Sequence, residues 1–199
     1  MAARTMRVLG IVGSPRRAGN TDVLVGQVLA GAERAGAQVD RIYLDESAVR
    51  PCQACQACAP TGHCVQEDDF QALLARMTSA DGLVLGSPVY CGTVTAQMKA
   101  LVDRADASQV TMQTAPDGQI RFVSRWAPGR RGVVVVAADY GPPEALRHTA
   151  GMLALLLKDL NVQVVGRVLA RGLSGKGAAL RDGALLEQAF VVGQDLVQG

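Results

Sequence analysis

The sequence predicts an α/β protein built on a doubly wound, five-stranded parallel sheet. Short apolar runs at 8–12, 39–44, 82–86, 133–138 and 162–169 alternate with patterns of helical spacing along the whole chain. A length of 199 residues, 49% hydrophobic and 19% charged, suits a single compact domain that buries roughly 70% of its unfolded surface. No internal repeat, low-complexity tract or interdomain linker interrupts that pattern. The expected strand order is 2-1-3-4-5, with a ligand crevice beyond the carboxyl ends of strands 1 and 3.

Each element has its own signal. The first strand, Val8-Leu9-Gly10-Ile11-Val12, runs through the loop GSPRRAGNT into a helix with Leu24, Val25, Val28, Leu29 and Ala32 on one face. The second run, 39–44, is more polar and reads as an edge strand. A cysteine-rich loop at 50–66 follows, then a helix marked by Phe70, Leu73, Leu74 and Met77. After the third strand, Met98, Leu101, Val102 and Ala105 repeat the same spacing. The segment at about 106–130 is an insertion containing the turn signal Ala115-Pro116-Asp117-Gly118 between strand-like pieces, either a hairpin near the site or a plain surface excursion. Four consecutive valines, Val133 to Val136, suit a central strand covered on both faces. Residues 152–157 are apolar almost all round, as expected of a helix between sheet and second subunit or of one deeply buried in the monomer. A last helix is expected over about 182–197.

Composition excludes several classes of function. A formal charge of +2 is too small and dispersed for nucleic acid, and no run approaches the roughly 18 apolar residues of a membrane span. MAARTMRV enters the first strand without an apolar leader, so a cytoplasmic location is expected. Four of the five cysteines crowd between Cys52 and Cys64, which suits metal ligands or reduced thiols better than a disulfide framework.

The loop after the first strand reads as a phosphate site. Free N–H groups and the positive dipole end of a helix converge there, Ser14, Asn20 and Thr21 add side-chain donors, and Arg16 or Arg17 can neutralise charge. It is neither a Walker A nor a G-x-G-x-x-G dinucleotide fingerprint, so a single terminal phosphate fits better. Strand-to-helix turns also favour these residue types, with Asn20 or Thr21 then serving only as helix N-cap.

The loop after the third strand, GSPVYCGTVTAQMKALVDR, resembles the flavodoxin-like NAD(P)H-dependent FMN reductases, whose pattern falls on Ser87, Pro88, Tyr90, Gly92, Ala96, Lys99, Asp103 and Arg104. GSPRRAGNT resembles the same family's phosphate loop. The resemblance implies that Ser14, Arg16, Gly19, Asn20 and Thr21 hold the FMN phosphate. It likewise implies that Pro88, Val89, Tyr90, Cys91 and Gly92 line the isoalloxazine ring, with Asp139, Tyr140 and Gly141 of the third loop beside it. Gly92 lets a backbone N–H approach the ring without a side chain intervening. The third loop departs from the family's several glycines, and Cys91 stands where relatives often carry a bulkier residue. The chemistry is the cofactor's: hydride passes from NAD(P)H to FMN and no catalytic side chain is expected, with His63 among the cysteines and His148 on a helix.

The spacing Cys52-x2-Cys55-x2-Cys58-x5-Cys64 resembles the iron–sulfur flavoprotein branch of that family, which implies these four as ligands of a [4Fe-4S] cluster. Zinc more often takes two separated C-x2-C pairs. The expected activity is an FMN-dependent NAD(P)H oxidoreductase acting as a homodimer or homotetramer on an unidentified acceptor. The alternatives are an FMN electron carrier with no nicotinamide reaction of its own, and a zinc-binding module on a vestigial nucleotide fold.

Overall fold

Every strand of the main sheet ends on one edge, and that edge carries the site. The computed structural model describes residues 4–199, so the reading of a missing leader falls partly on residues 1–3, outside that range. Seven strands form: β1 (Arg7–Val12), β2 (Gln38–Tyr43), β3 (Gly82–Pro88), β4 (Val110–Thr114), β5 (Ile120–Ser124), β6 (Arg130–Ala137) and β7 (Val162–Ala170). Five α-helices accompany them among the described residues: α1 (Asn20–Arg34), α2 (Phe70–Ser79), α3 (Ala96–Gln109), α4 (Pro143–Asp159) and α5 (Gly183–Gln198). Five strands make a parallel sheet in the order β2-β1-β3-β6-β7. The expected order is kept among the sheet strands, but β4 and β5 intervene in the chain as a separate antiparallel hairpin, which shifts the numbering of the last two.

The four valines of β6 explain why that strand sits inside the sheet. Val134 and Val136 join the core under α2, α3 and α4, while Val133 and Val135 join the core under α1 and α5. Alternation along a strand therefore feeds two apolar layers, and a strand apolar at every position can only be central. β2, with Gln38, Asp40 and Arg41 exposed, is an edge.

The insertion begins later than its sequence suggests, because Asp106 to Gln109 still belong to α3 and Arg130 already belongs to β6. Ala115 N–H donates to Gln119 O at 2.8 Å and Gly118 takes φ +80°, closing the hairpin at the expected turn. Its base braces the cysteine loop: Gln109 Nε2 donates to Gly62 O at 2.8 Å and Trp126 Nε1 donates to Gln109 Oε1 at 3.1 Å. α4 is one-faced rather than wrapped all round, with Leu153, Leu156 and Leu157 buried and Leu155 exposed.

α1 and α5 cross at two glycines. A Cβ on Gly31 would stand 1.9 Å from Phe190 O, and one on Gly193 the same distance from Val28 O. Each glycine is thus the hollow into which the other helix's backbone fits. Alanine at either position is expected to cost about 3 kcal/mol through forced separation of the helices, read as a fall of several degrees in Tm. An unchanged Tm for both variants would contradict the close crossing.

Candidate functional site

The chain's winding reverses between β1 and β3, which leaves the carboxyl edge open above these neighbouring strands. Loops leaving β1, β3, β6 and β7 enclose there a cleft of about 660 Å³, within the usual size of a small-molecule site. It is lined by Ser14, Arg16, Gly19, Asn20 and Thr21 from the first loop, Pro88 to Gly92 from the second, and Asp139, Tyr140 and Gly141 from the third. All the candidate cofactor residues therefore share one cleft.

In the first loop Gly13 N–H donates to Gly86 O at 2.7 Å, and Ser14 Oγ accepts from Arg16 N–H at 3.2 Å. Gly19 is the N-cap of α1 and supplies no side-chain acceptor, so the first-turn N–H groups are available to a ligand. A Cβ at Gly19 would lie 2.8 Å from Arg16 O, so the loop's tightness requires glycine. Arg16 lines the cleft, whereas Arg17 turns away to Glu46 and the Tyr43 ring. Asn20 is neither the cap nor free to donate to a ligand through its amide. Its Nδ2 donates to Leu173 O at 2.9 Å and Gly175 O at 3.0 Å, and its Oδ1 accepts from Ala179 N–H at 3.0 Å.

The second loop closes as a tight turn. Tyr90 N–H donates to Thr93 O at 2.8 Å and Thr93 N–H to Tyr90 O at 3.0 Å, with Cys91 at φ +49° and Gly92 at φ +80° between them. Two consecutive left-handed residues mark a primed turn. Nothing lies within 4 Å of a Cβ built on Gly92 or on Gly141, which has φ +110°, so both present bare backbone to the cleft. Thr95, absent from the sequence expectations, ties the loops together. Its hydroxyl donates to Gly13 O at 2.7 Å and caps α3 by accepting from Met98 N–H, while its own N–H donates to Ser87 Oγ. A threonine directly before a run of helical spacing, the usual place of an N-cap, was the signal available.

Sequence reasoning also missed the loop after β7, whose Leu173, Gly175 and Lys176 line the cleft with Ala137, Ala138, Pro142 and Ala145. The cue was a run of glycines, Gly172, Gly175 and Gly177, just past a strand. Asp139 accepts a hydrogen bond from Ser174 of this loop. Neither histidine lines the cleft, and both are exposed.

The cysteine loop leaves β2 at the same carboxyl edge. Burial pushes the Cys58 thiol up, and it donates to Ala107 O at 3.2 Å. Cys64 Sγ accepts from Arg104 Nη2 at 3.2 Å, Cys52 Sγ accepts from Ala54 N–H at 3.4 Å, and Cys55 is exposed. Ala54 and Gln56 hold left-handed backbone, so the segment coils tightly. Four thiols and an N–H directed at sulfur are donor chemistry that fits an iron–sulfur cluster. Cys52, Cys58 and Cys64 nevertheless have separate protein partners, and among the described residues no three His, Cys, Asp or Glu groups surround a common point.

Arg104, from the motif's Asp-Arg, is wholly buried and pairs with Asp68, while also donating to Arg50 O and lying over the Phe70 ring. Burial alone would push the Asp68 carboxyl up. The bonds it accepts from Arg104 and from the N–H groups of Arg50 and Phe70 outweigh that and bring it down to about 2. A carboxyl lowered in the fold stabilises fully above its ordinary value of 3.8, and that contribution fades as pH falls towards 2. Asp68→Asn leaves Arg104 buried without a counter-charge and is expected to cost about 3–5 kcal/mol at pH 7. Denaturant unfolding should show the deficit shrinking between about pH 4 and pH 2. An equal deficit throughout that range would rule out the pair's contribution.

A flavin mononucleotide fits this cleft. One end offers helix N–H groups and Arg16 for a phosphate, and the other offers bare glycine backbone and tyrosine rings for a planar ring system. Fold and cleft thus define a flavodoxin-like α/β protein. Residues 6–172 match the NADPH-dependent FMN reductase family. An iron–sulfur flavoprotein of Archaeoglobus fulgidus is 33% identical over 167 residues, covering 84% of this chain and 69% of that one. Another, from Methanosarcina thermophila, is 39% identical over 100 residues, 50% of this chain and 52% of its own, so the match spans about half of that relative. The FMN complex of an FMN-dependent NADH-azoreductase from Bacillus anthracis superposes with a TM-score of 0.66 at 12% identity, covering 98% of this chain and all of that one, and shares the fold. The chain belongs to the NADPH-dependent FMN reductase family of oxidoreductases, on its iron–sulfur flavoprotein branch.

Proposed function

We propose that this chain is an FMN-dependent NAD(P)H oxidoreductase that passes electrons from a nicotinamide to an acceptor, with Cys52, Cys55, Cys58 and Cys64 as ligands of a [4Fe-4S] cluster. The single observation that carries the reading is the meeting of three separated loops, with all their candidate residues, in one cleft. FMN, when bound, supplies a hydride acceptor that can release electrons singly or in pairs. The chain's part is binding and orientation. Arg16 and the head of α1 offset phosphate charge, Gly92 and Gly141 leave room for backbone to approach a ring, and Tyr90 and Tyr140 offer amphipathic surface.

The cluster rests on the four-thiol loop and on the names of the iron–sulfur flavoprotein relatives. The same reading takes 1–199 as one domain, with 50–66 as the cluster loop and 106–130 as an insertion, working in the cytoplasm as a homodimer or homotetramer. No helix among the described residues is long and apolar enough to cross a membrane.

Anaerobically purified protein is expected to show flavin absorbance that bleaches when mixed with NADPH or NADH in a stopped-flow instrument. FMN that stays oxidised with both would leave the electron-carrier reading instead. Iron and acid-labile sulfide are expected at about four of each per chain, and an iron-free, flavin-loaded protein would remove the cluster from the proposal.

A further inference from the structure

The amide of Asn20 is spent on the loop after β7, and that loop brings a cation into the cleft. Gly172, Gly175 and Gly177 have φ of +75°, +87° and +71°, so residues 172–177 fold back on the sheet edge in a path that glycine permits. Asn20 grips this path on both sides of Lys176, through the carbonyls of Leu173 and Gly175 before it and the N–H of Ala179 after it. The loop lies directly against the phosphate loop, since a Cβ on Gly177 would be 3.5 Å from Ala18 O. Lys176 and Arg16 are the cationic side chains lining the cleft, and neither has a carboxylate partner among the described residues. Asp139, the cleft's carboxylate, accepts instead from Ser174.

A phosphate monoester carries roughly −1.5 to −2 at pH 7. The helix head supplies roughly half a positive charge, and Arg16 one more. Such a dianion is left short of compensation until a second cation joins. We propose that Lys176 is a phosphate-binding residue for the 5′-phosphate of FMN, facing Arg16 across the first loop, and that Asn20 is a positioning residue that holds Lys176 there. This rests on the FMN reading of the cleft and extends it to a loop that the family motifs do not include.

Fluorescence titration of the flavin-stripped full chain with FMN, riboflavin and NADPH tests it. Lys176→Gln is expected to weaken FMN binding about 10- to 100-fold, with riboflavin binding within about twofold of the parent and an unchanged Tm, because riboflavin lacks the phosphate. Lys176→Arg should recover most of the FMN affinity. Asn20→Ala should weaken FMN binding too, and adding it to Lys176→Gln should cost little more, as for two residues acting through one contact. Equal loss for FMN and riboflavin, no loss for either, or a loss confined to NADPH would each overturn the assignment. A parent chain that binds neither flavin would instead overturn the FMN reading itself.

Discussion

The pairing of β1 with β3 at the point where the chain reverses its winding is the constraint on which the site depends. Helices return on opposite faces from these two neighbours, so none covers the ends of the strands, and the backbone there must turn in the open. Loops in such a position have few apolar contacts to define them. Hydrogen bonds define them here: Gly13 to Gly86, Thr95 to Gly13 and Ser87, Asp139 to Ser174, and Asn20 to the segment after β7. The site is thus a set of exposed turns fixed by mutual polar contacts above a rigid valine-rich floor.

Arg104 extends this bracing to the cysteines. It sits on α3, the helix that begins at the flavin-type loop, and its guanidinium meets Asp68, the Arg50 carbonyl and Cys64. A full charge with 0% side-chain exposure holds only where its partners are fixed in place. The second loop and the cysteine loop are thereby parts of one mechanical unit, although helix α2 lies between them in sequence.

What was legible in the sequence was whatever depends on neighbours in the chain. The five sheet strands stood out because unbroken apolar runs such as Val133 to Val136 must be covered on both faces, and the polar 39–44 run had to be an edge. The cleft residues of the first three loops were legible because the fold puts the loops of certain strands side by side. The side-chain partners of Asn20 were not legible because they lie over 150 residues away, and the same distance hid Lys176. Cys64 could be named as a thiol in a motif, but its pairing with Arg104 follows from packing that no local pattern encodes.

The reciprocal seating of Gly31 and Gly193 has a consequence for the order of folding. α1 is the first helix of the described residues, yet the backbone that completes its seat belongs to α5, the last of them. Closing so long a stretch carries an entropic cost that is repaid only once the final helix exists. A chain still lacking α5 keeps the face of α1 that packs on the sheet, but Gly31 then faces water instead of the backbone that seats on it.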